Sequence, residues 1–530
     1  MAYKALLLDG VDPVCGEIFE QRGFEVTEAS GMQSDELEKI IGDYHAMVVR
    51  SATKVTLPLL EKAVNMRVVG RAGVGVDNID LDAATRMGIL VMNTPDGNTI
   101  STAEHTCGMI LALSRNIPAA VSSLKEGRWD RKKYLGTEIH GKTLGIIGLG
   151  KIGSGVAARM KSFGMHIIGF DPYTTHERAA EMGVEMKGLD EILASADYLT
   201  VHTPLTDQTR DLVSQKNADR IKPGIKLINC ARGGIYNESD LLSLIERGIV
   251  SGAALDVYSN EPPSDDLKEL LQHPAVICTP HLGASTQEAQ GKVAEQIARQ
   301  IADAIEQKGF QGSLNGKSIA LSTNKEVQPF LQLAERFGHF LSQIAPKHTE
   351  ELSITYSGTC AKHSQVLTDS LLSGFMKGSV DDVVNLINAR YHAETRGLKI
   401  SETISRETQT YSDLITVDLG PKADYRKLCA TPFGENDYRI VSIDGFSIEI
   451  HLEGEIILYQ NIDKPGMLAA TSGALAKRDI NIASLSLGRD LKNAQAITAF
   501  TVDTTLDEKD VDYIHRIDGV NVVKYVSIRV

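Results

Sequence analysis

Apolar residues recur along the chain in blocks whose length and spacing change three times. Short apolar runs at 5–8, 46–49, 67–69 and 89–92 alternate with helical stretches. Such runs are too short for helices and too uniformly apolar for a half-solvated sheet, so they predict strands of a parallel α/β sheet. A second series at 143–147, 167–170, 198–201, 226–229 and 253–255, again with helices between, predicts a doubly wound sheet. Glycine then rises at Gly309, Gly312 and Gly316, which marks a linker. Residues 318–452 hold helices and β-branched stretches without a motif that carries chemistry, and read as an intervening domain. From Glu455 onward the order is strand (456–459), helix (467–477), strand (483–487), strand (496–502), helix (509–517), strand (522–528). This βαββαβ order is that of a ferredoxin-like module.

Composition narrows the function classes. At 530 residues the chain exceeds one hydrophobic core, and roughly 150 residues per domain gives three or four domains. With 42% hydrophobic and 23% charged residues it is ordinary globular material. No apolar run approaches the ~20 residues that span a bilayer, so no membrane insertion is expected. The N-terminus enters its first strand without the basic and apolar segments of a targeting peptide, which makes the cytoplasm the expected location. Six cysteines without a CxxC pair suggest reduced buried thiols and no metal site. A net charge of -14 argues against a nucleic-acid partner, and means that an anionic substrate needs local cations.

Chemistry is most legible at Gly148-Leu149-Gly150-Lys151-Ile152-Gly153, placed between an apolar strand and a helix. Gly148 and Gly150 permit a tight turn and close approach of a pyrophosphate, Gly153 permits close helix packing, and the helix N-terminus favours the negative charge. Asp171 follows at the end of the next strand, where a carboxylate accepts ribose hydroxyls and repels the extra phosphate of NADP. The cofactor expected is NAD.

Three polar residues follow the ends of later strands: Arg232, Glu261 and His281. Hydride exchange between a hydroxy acid and its keto form needs a cation to polarise the carbonyl and hold the carboxylate, and an acid-base group for the alkoxide proton. Arg232 and His281 fit these roles, and Glu261 would stabilise the imidazolium.

These motifs, together with Val49-Arg50-Ser51, residues 70–78, residues 230–234, Ala254-Leu255-Asp256-Val257, Glu261-Pro262 and residues 280–285, resemble the D-2-hydroxyacid dehydrogenase family over residues 1 to 316. The resemblance implies Arg232, Glu261 and His281 as the catalytic set. It implies cofactor contacts from Gly148, Gly150, Lys151, Ile152, Gly153, Asp171, Thr203, Cys230, Ala231, Asp256, Gly283 and Ala284, and substrate contacts from Arg50, Ser51, Arg71, Gly73 and Asn98. It further implies a Rossmann-type NAD domain (98–282) inserted in a split, flavodoxin-like substrate domain (1–97 and 283–316), then an α+β intervening domain (317–452) and an ACT domain (455–530).

Within the family, the resemblance is to members that oxidise 3-phospho-D-glycerate to 3-phosphohydroxypyruvate, the first step of phosphorylated L-serine synthesis. The cations Arg50, Lys54 and Arg71 suit a phosphate. Residues 461–466 and 479–482 resemble the amino-acid-sensing ACT fold and imply L-serine as an effector held by Asn461, Asp463 and Asn481. Asn461 departs from the ring-bearing residue usual there. Trp129, the only tryptophan, falls where relatives make a dimer contact, and a homodimer or homotetramer is expected. The family also includes corepressors that keep the fold as a NAD-sensing platform, and dehydrogenases of glycerate or lactate. The complete Arg, Glu, His set opposes the first alternative and the attached serine sensor opposes the second.

Overall fold

The computed structural model describes residues 2–316, 319–346, 348–377, 384–406, 410–434, 436–490, 492 and 494–529. Residue 317, where the intervening domain is expected to begin, lies outside them, as do the chain ends at 1 and 530.

Four sheets follow one another. The first is parallel throughout, in the order Glu25–Glu28, Lys4–Leu7, Ala46–Val49, Val68–Arg71, Leu90–Asn93. Its central strands are buried on both faces, whereas Glu25–Glu28 is a mostly exposed edge without the apolar signature of its neighbours. The second sheet has seven parallel strands in the order Val276–Cys278, Val250–Leu255, Ile225–Asn229, Tyr198–Val201, Thr143–Ile147, His166–Phe170, Glu185–Met186.

After this nucleotide-type unit, the helix Gln287–Ile305 returns to cover the first sheet. It lies so close to the strand Val68–Arg71 that a Cβ on Gly70 would stand 2.4 Å from Ile301. The helix is clasped to the first helix, Val14–Gln21, by Arg22, whose guanidinium donates to Glu306 at 2.7 and 3.0 Å and to Asp303 at 2.8 Å. Residues 310–316 then run beside the strand Leu90–Asn93, with Leu314 N–H donating to the Val91 carbonyl. The first unit is therefore made from two separated stretches of chain.

The third sheet is mixed, with Glu351–Ser357 parallel to Lys399–Ser405 and the remaining neighbours antiparallel. The fourth is antiparallel in the order Ile482–Asp490, Gln495–Val502, Gly454–Ile462, Val520–Ile528, the ferredoxin-like arrangement expected. The last two units share a core. The helix Gln328–Ile344 buries Leu333, Phe337, Phe340 and Leu341 in one cluster with Ile415 and Ile440 of the third sheet and Ile456, Leu458 and Val526 of the fourth. Gln343 crosses the seam, donating to the Ser527 carbonyl at 3.0 Å and accepting from its N–H at 2.9 Å. This compound body meets the first unit through Asn385 and Asn388, whose amides donate to the Gly88 and Arg86 carbonyls at 2.9 and 3.3 Å.

No single described helix is long and apolar enough to cross a membrane. The pair Thr99–Arg115 and Ile117–Lys125 passes that test only jointly, across a 64° bend.

Candidate active site

Thr143–Ile147 lies between His166–Phe170 and Tyr198–Val201, so the winding reverses at its carboxyl end, where open α/β sheets form their ligand crevice. Gly148 leaves this strand at φ +93°, and a Cβ there would stand 2.5 Å from the His202 carbonyl oxygen. On the following helix, Lys151–Ser162, a Cβ on Gly153 would stand 2.0 Å from the Gly148 oxygen. Gly150, the N-cap, faces open space. The outer glycines are thus demanded by the protein's own packing, while the middle one leaves room for a pyrophosphate against the helix N-terminus.

Asp171 is pinned beside this turn, accepting from the N–H groups of Leu149 (2.8 Å), Tyr173 (2.8 Å) and Thr174 (3.1 Å). The buried Thr203 hydroxyl has no partner among the described residues, as suits a group reserved for a ligand. Lys151 pairs with Asp96, and Ile152 is half-buried. Below the turn, burial pushes His202 down to about 4, leaving that ring uncharged at neutral pH.

Arg232, Glu261 and His281 follow three neighbouring strands, Ile225–Asn229, Val250–Leu255 and Val276–Cys278. The Arg232 loop is closed by Asn229, whose amide donates to the Arg232 carbonyl at 2.7 Å and accepts from Ala231 N–H at 3.0 Å. The Arg232 guanidinium donates to the Ala231 carbonyl at 2.6 Å and lies 3.1 Å from the carboxylate of Asp77, on the loop that follows the strand Val68–Arg71 of the first sheet.

His281 Nδ1 is 2.6 Å from Glu261 Oε2, and Glu261 Oε1 accepts from Tyr258 N–H at 3.2 Å. Burial raises the Glu261 carboxyl, but the hydrogen bond and charge of His281 outweigh it, holding the group below its ordinary value. An ionised carboxylate only accepts, so Nδ1 carries the proton in this pair and Nε2 is left for the substrate.

His281 has φ +55°, a left-handed conformation that a side chain adopts at a cost. Asp256 holds it there. Fully buried, this carboxylate accepts from Leu282 N–H (2.7 Å), Gly283 N–H (2.9 Å) and the Thr279 hydroxyl (2.5 Å), with His105 Nε2 3.2 Å away. Burial raises Asp256, and its donors bring it below the ordinary carboxylate range. His105, Cys230 and Asp256 form a group whose ligand atoms lie within 4.8 Å of one another. Burial and the Asp256 charge push the Cys230 thiol up to about 12 and the carboxylate is already engaged, so this group favours hydrogen bonding over metal ligation. Gly283 is buried against Thr102, and Ala231 and Ala284 are half-buried.

In the first unit, Arg50 follows the strand Ala46–Val49 and Arg71 ends the strand Val68–Arg71, with Ser51 exposed beside Arg50. Arg71 Nε donates to Asn78 at 3.2 Å, while the Asn78 amide donates to the carbonyls of Arg50 and Thr53 at 2.9 and 2.7 Å. Burial, then repulsion from Arg232 and Arg50, pushes the Arg71 guanidinium down to about 10. Three guanidinium groups thus lie near enough for their charges to repel, with Asp77 offsetting part of that repulsion, a setting an anion relieves further. Gly73 leaves space for Arg71, whose Nη1 would be 2.6 Å from a Cβ there, and the Asn98 side-chain oxygen is buried without a partner among the described residues.

The three expected effector residues are not brought together in one chain. Asn461 pairs across the sheet with Ala496, whereas Asn481 precedes Ile482, which pairs with Val502. Six residues of strand separate the two ends, about 20 Å. Asn461 is buried with its amide donating to the Ile462 carbonyl, Asp463 pairs with Arg489 at 2.7 Å, and Asn481 donates to Asp503 at 2.6 Å. Trp129 is 82% exposed, on a stretch that also exposes Leu135.

Four further residues shape this site without a sequence signal: Asn229, Asp77, His105 and Glu238. Asn229 and Asp77 sit inside motifs whose neighbours attract attention, and His105 and Glu238 look like ordinary polar positions on helices.

Residues 107–283 match the model of the D-isomer specific 2-hydroxyacid dehydrogenase NAD binding domain, 326–444 that of the D-3-phosphoglycerate dehydrogenase intervening domain, and 455–517 that of the ACT domain. The chain is 42% identical over 486 residues to a D-3-phosphoglycerate dehydrogenase of Bacillus subtilis, covering 92% of each chain. It is 38% identical over 528 residues to one of Archaeoglobus fulgidus, covering 99% of this chain and all of that one. Among solved structures, a D-lactate dehydrogenase from Aquifex aeolicus complexed with NAD and lactic acid is similar with a TM-score of 0.52 and 27% identity, over 57% of this chain and 96% of that one.

Proposed function

The chain belongs to the D-3-phosphoglycerate dehydrogenase family and is an NAD-dependent oxidoreductase, and from that premise we propose that it oxidises 3-phospho-D-glycerate to 3-phosphohydroxypyruvate, the first step of phosphorylated L-serine synthesis. The observation that carries this reading is that Arg232, on the strand-end loop neighbouring those of the His281–Glu261 pair, lies 3.1 Å from Asp77 and near enough to Arg71 of the first unit for their charges to interact, with Arg50 also near Arg71.

When bound, NAD supplies the nicotinamide that takes the hydride from the hydroxyl-bearing carbon. Gly148, Gly150, Lys151, Ile152 and Gly153 cradle its pyrophosphate, Asp171 its ribose, and Thr203, Cys230, Ala231, Asp256, Gly283 and Ala284 line the remaining cleft. His281 Nε2 removes the hydroxyl proton, and Glu261 compensates the charge that the ring acquires. Arg232 holds the carboxylate and the developing carbonyl oxygen. Arg50, Ser51, Arg71, Gly73 and Asn98 contact the substrate, and the cations Arg50, Lys54 and Arg71 suit its phosphate, where charge-assisted hydrogen bonds are strongest.

The proposed domains are 1–97 with 283–316 for substrate, 98–282 for NAD, 317–452 intervening and 455–530 ACT. The protein works in the cytoplasm as a homodimer or homotetramer, with Trp129 and Leu135 offering exposed apolar contact. L-serine acts as feedback effector through Asn461, Asp463 and Asn481. Because these lie at opposite ends of one ACT sheet, a site using all three takes them from two copies of the chain.

The test is NADH formation with 3-phospho-D-glycerate, run beside D-glycerate and D-lactate, and repeated with L-serine. Turnover of the phosphorylated substrate far above that of D-glycerate and D-lactate supports the assignment, and its absence ends it. If L-serine alters neither rate nor saturation, the feedback role is withdrawn.

A further inference from the structure

Glu238 is the first residue of the helix Glu238–Glu246, a place where an acidic side chain normally reaches into solvent and gains from the helix dipole. Here it is 7% exposed and turned inward. Its Oε1 accepts from Gly234 N–H at 3.0 Å and from Ser259 N–H at 2.9 Å, and Oε2 is 3.1 Å from the same Ser259 nitrogen. Gly234 stands two residues after Arg232, and Ser259 two residues before Glu261. One buried carboxylate therefore bridges the two loops that carry the chemistry.

Gly233 shows how close those loops come. A Cβ at this position would lie 1.9 Å from the Tyr258 carbonyl carbon and 2.2 Å from Ser259 N, so the backbones touch without a side chain between them. The contact is made on both sides of the bridge, by Gly233 packing and by Glu238 hydrogen bonding. Continuing outward, Tyr258 N–H donates to Glu261, and Glu261 meets His281.

We propose that Glu238 is a positioning residue for the reaction, fixing the spacing between Arg232 and Glu261 and, through Glu261, the orientation of His281. The proposal rests on the catalytic roles given above. Burying a carboxylate costs free energy unless donors surround it, and amide donors from these two loops meet that need only while the loops hold their separation. Loss of the carboxylate leaves the buried Gly234 N–H and the Ser259 N–H without this acceptor and frees the loops to part. A displacement on the order of 1 Å between reacting groups costs about 100-fold in rate.

The experiment compares the full-length native enzyme with Glu238→Ala and Glu238→Gln. In Glu238→Ala, kcat with 3-phospho-D-glycerate falls about 100-fold. The affinity for NAD measured by calorimetry falls far less than kcat, about tenfold at most, since the glycine turn and Asp171 are on other loops. The kinetic isotope effect with substrate deuterated at the hydroxyl-bearing carbon grows as the chemical step becomes limiting. Glu238→Gln, which keeps one oxygen for the two N–H groups, recovers at least about tenfold of the loss. Amide hydrogen exchange at Gly234 and Ser259 rises in Glu238→Ala. A folded Glu238→Ala enzyme with native kcat and isotope effect overturns the proposal, as does a rate loss matched by the unfolded fraction. If the native enzyme does not turn over, the catalytic reading fails. The exchange arm still judges the bridge, and unchanged exchange at both amides overturns it.

Discussion

His281 and Glu261 are 2.6 Å apart through Nδ1 and Oε2, although 20 positions of sequence separate them and each follows a different strand. The contact fixes which ring nitrogen meets the substrate. It also makes the two side chains a single acid-base unit. Replacing His281 with Ala removes the proton acceptor and lowers kcat by about 100- to 10,000-fold; Glu261→Gln gives a smaller loss, read by steady-state NADH formation. Glu261 lies below its ordinary value of 4.5. The stabilisation from its pairing is present above that value and disappears as pH falls through the depressed one. The acid limb that belongs to this pairing therefore lies below pH 4.5 in the native enzyme and is missing in Glu261→Gln, as a pH profile of NADH formation over that range would show.

Arg71→Gln separates phosphate recognition from chemistry. Removing one charge-assisted contact worth about 1.5–3 kcal/mol raises KM for 3-phospho-D-glycerate about 10- to 100-fold. The effect on kcat is much smaller. Steady-state kinetics with D-glycerate as a poor second substrate should show little change in KM, and an equal rise for both substrates would remove Arg71 from the phosphate site.

Asp171→Ala deprives the ribose of its acceptor and removes the repulsion toward a 2′-phosphate. NAD affinity should fall about tenfold or more and the ratio of NADP to NAD use should rise, as competition assays would show. An unchanged ratio would mean that another group makes the distinction.

Gly153→Ala introduces a Cβ 2.0 Å from the Gly148 oxygen, backbone against backbone. Overpacking of this kind costs about 1–3 kcal/mol. Thermal denaturation should show a lower Tm, and calorimetry a weakened NAD site, because the turn must open to admit the methyl group.

Arg22→Met tests the clasp between the two stretches that build the first unit. Hydrogen bonds from Arg22 and Lys308 hold Glu306 at about 2, against an ordinary 4.5. Its folded value is depressed, so the stability it contributes is present above pH 4.5 and is lost as pH falls toward 2. In Arg22→Met this acid-sensitive component shrinks, with a loss of about 1 kcal/mol near neutral pH for a partly exposed network. Denaturant unfolding at pH 7 and pH 3 would show the difference narrowing at the lower pH.

Much of this architecture was legible before any coordinates. The central strands of both parallel sheets announce themselves because burial on two faces forces continuous apolar runs. Glu25–Glu28 and Glu185–Met186 do not, since an edge strand needs apolar side chains on few positions. Asp171, Arg232, Glu261 and His281 stand out because each follows a strand end, where a polar side chain faces the crevice, and Gly148 because the turn there excludes a side chain. Glu238 does not, because its local sequence satisfies helix-start chemistry equally well in solvent, and only the third dimension brings Gly234 and Ser259 to it. The separation of Asn461 from Asn481 likewise required strand register, which residue spacing does not encode.

The core shared by the helix Gln328–Ile344 and the two C-terminal sheets bears on how this protein can be remodelled. A sensor module joined by a linker can be exchanged as a cassette. Here, cutting between the third and fourth sheets would expose the apolar side of Phe337, Phe340 and Leu341 and leave Gln343 without its backbone partner. The two units must therefore be inherited, transplanted or deleted together, and a chimera that replaces the ACT unit alone needs a redesigned face on that helix.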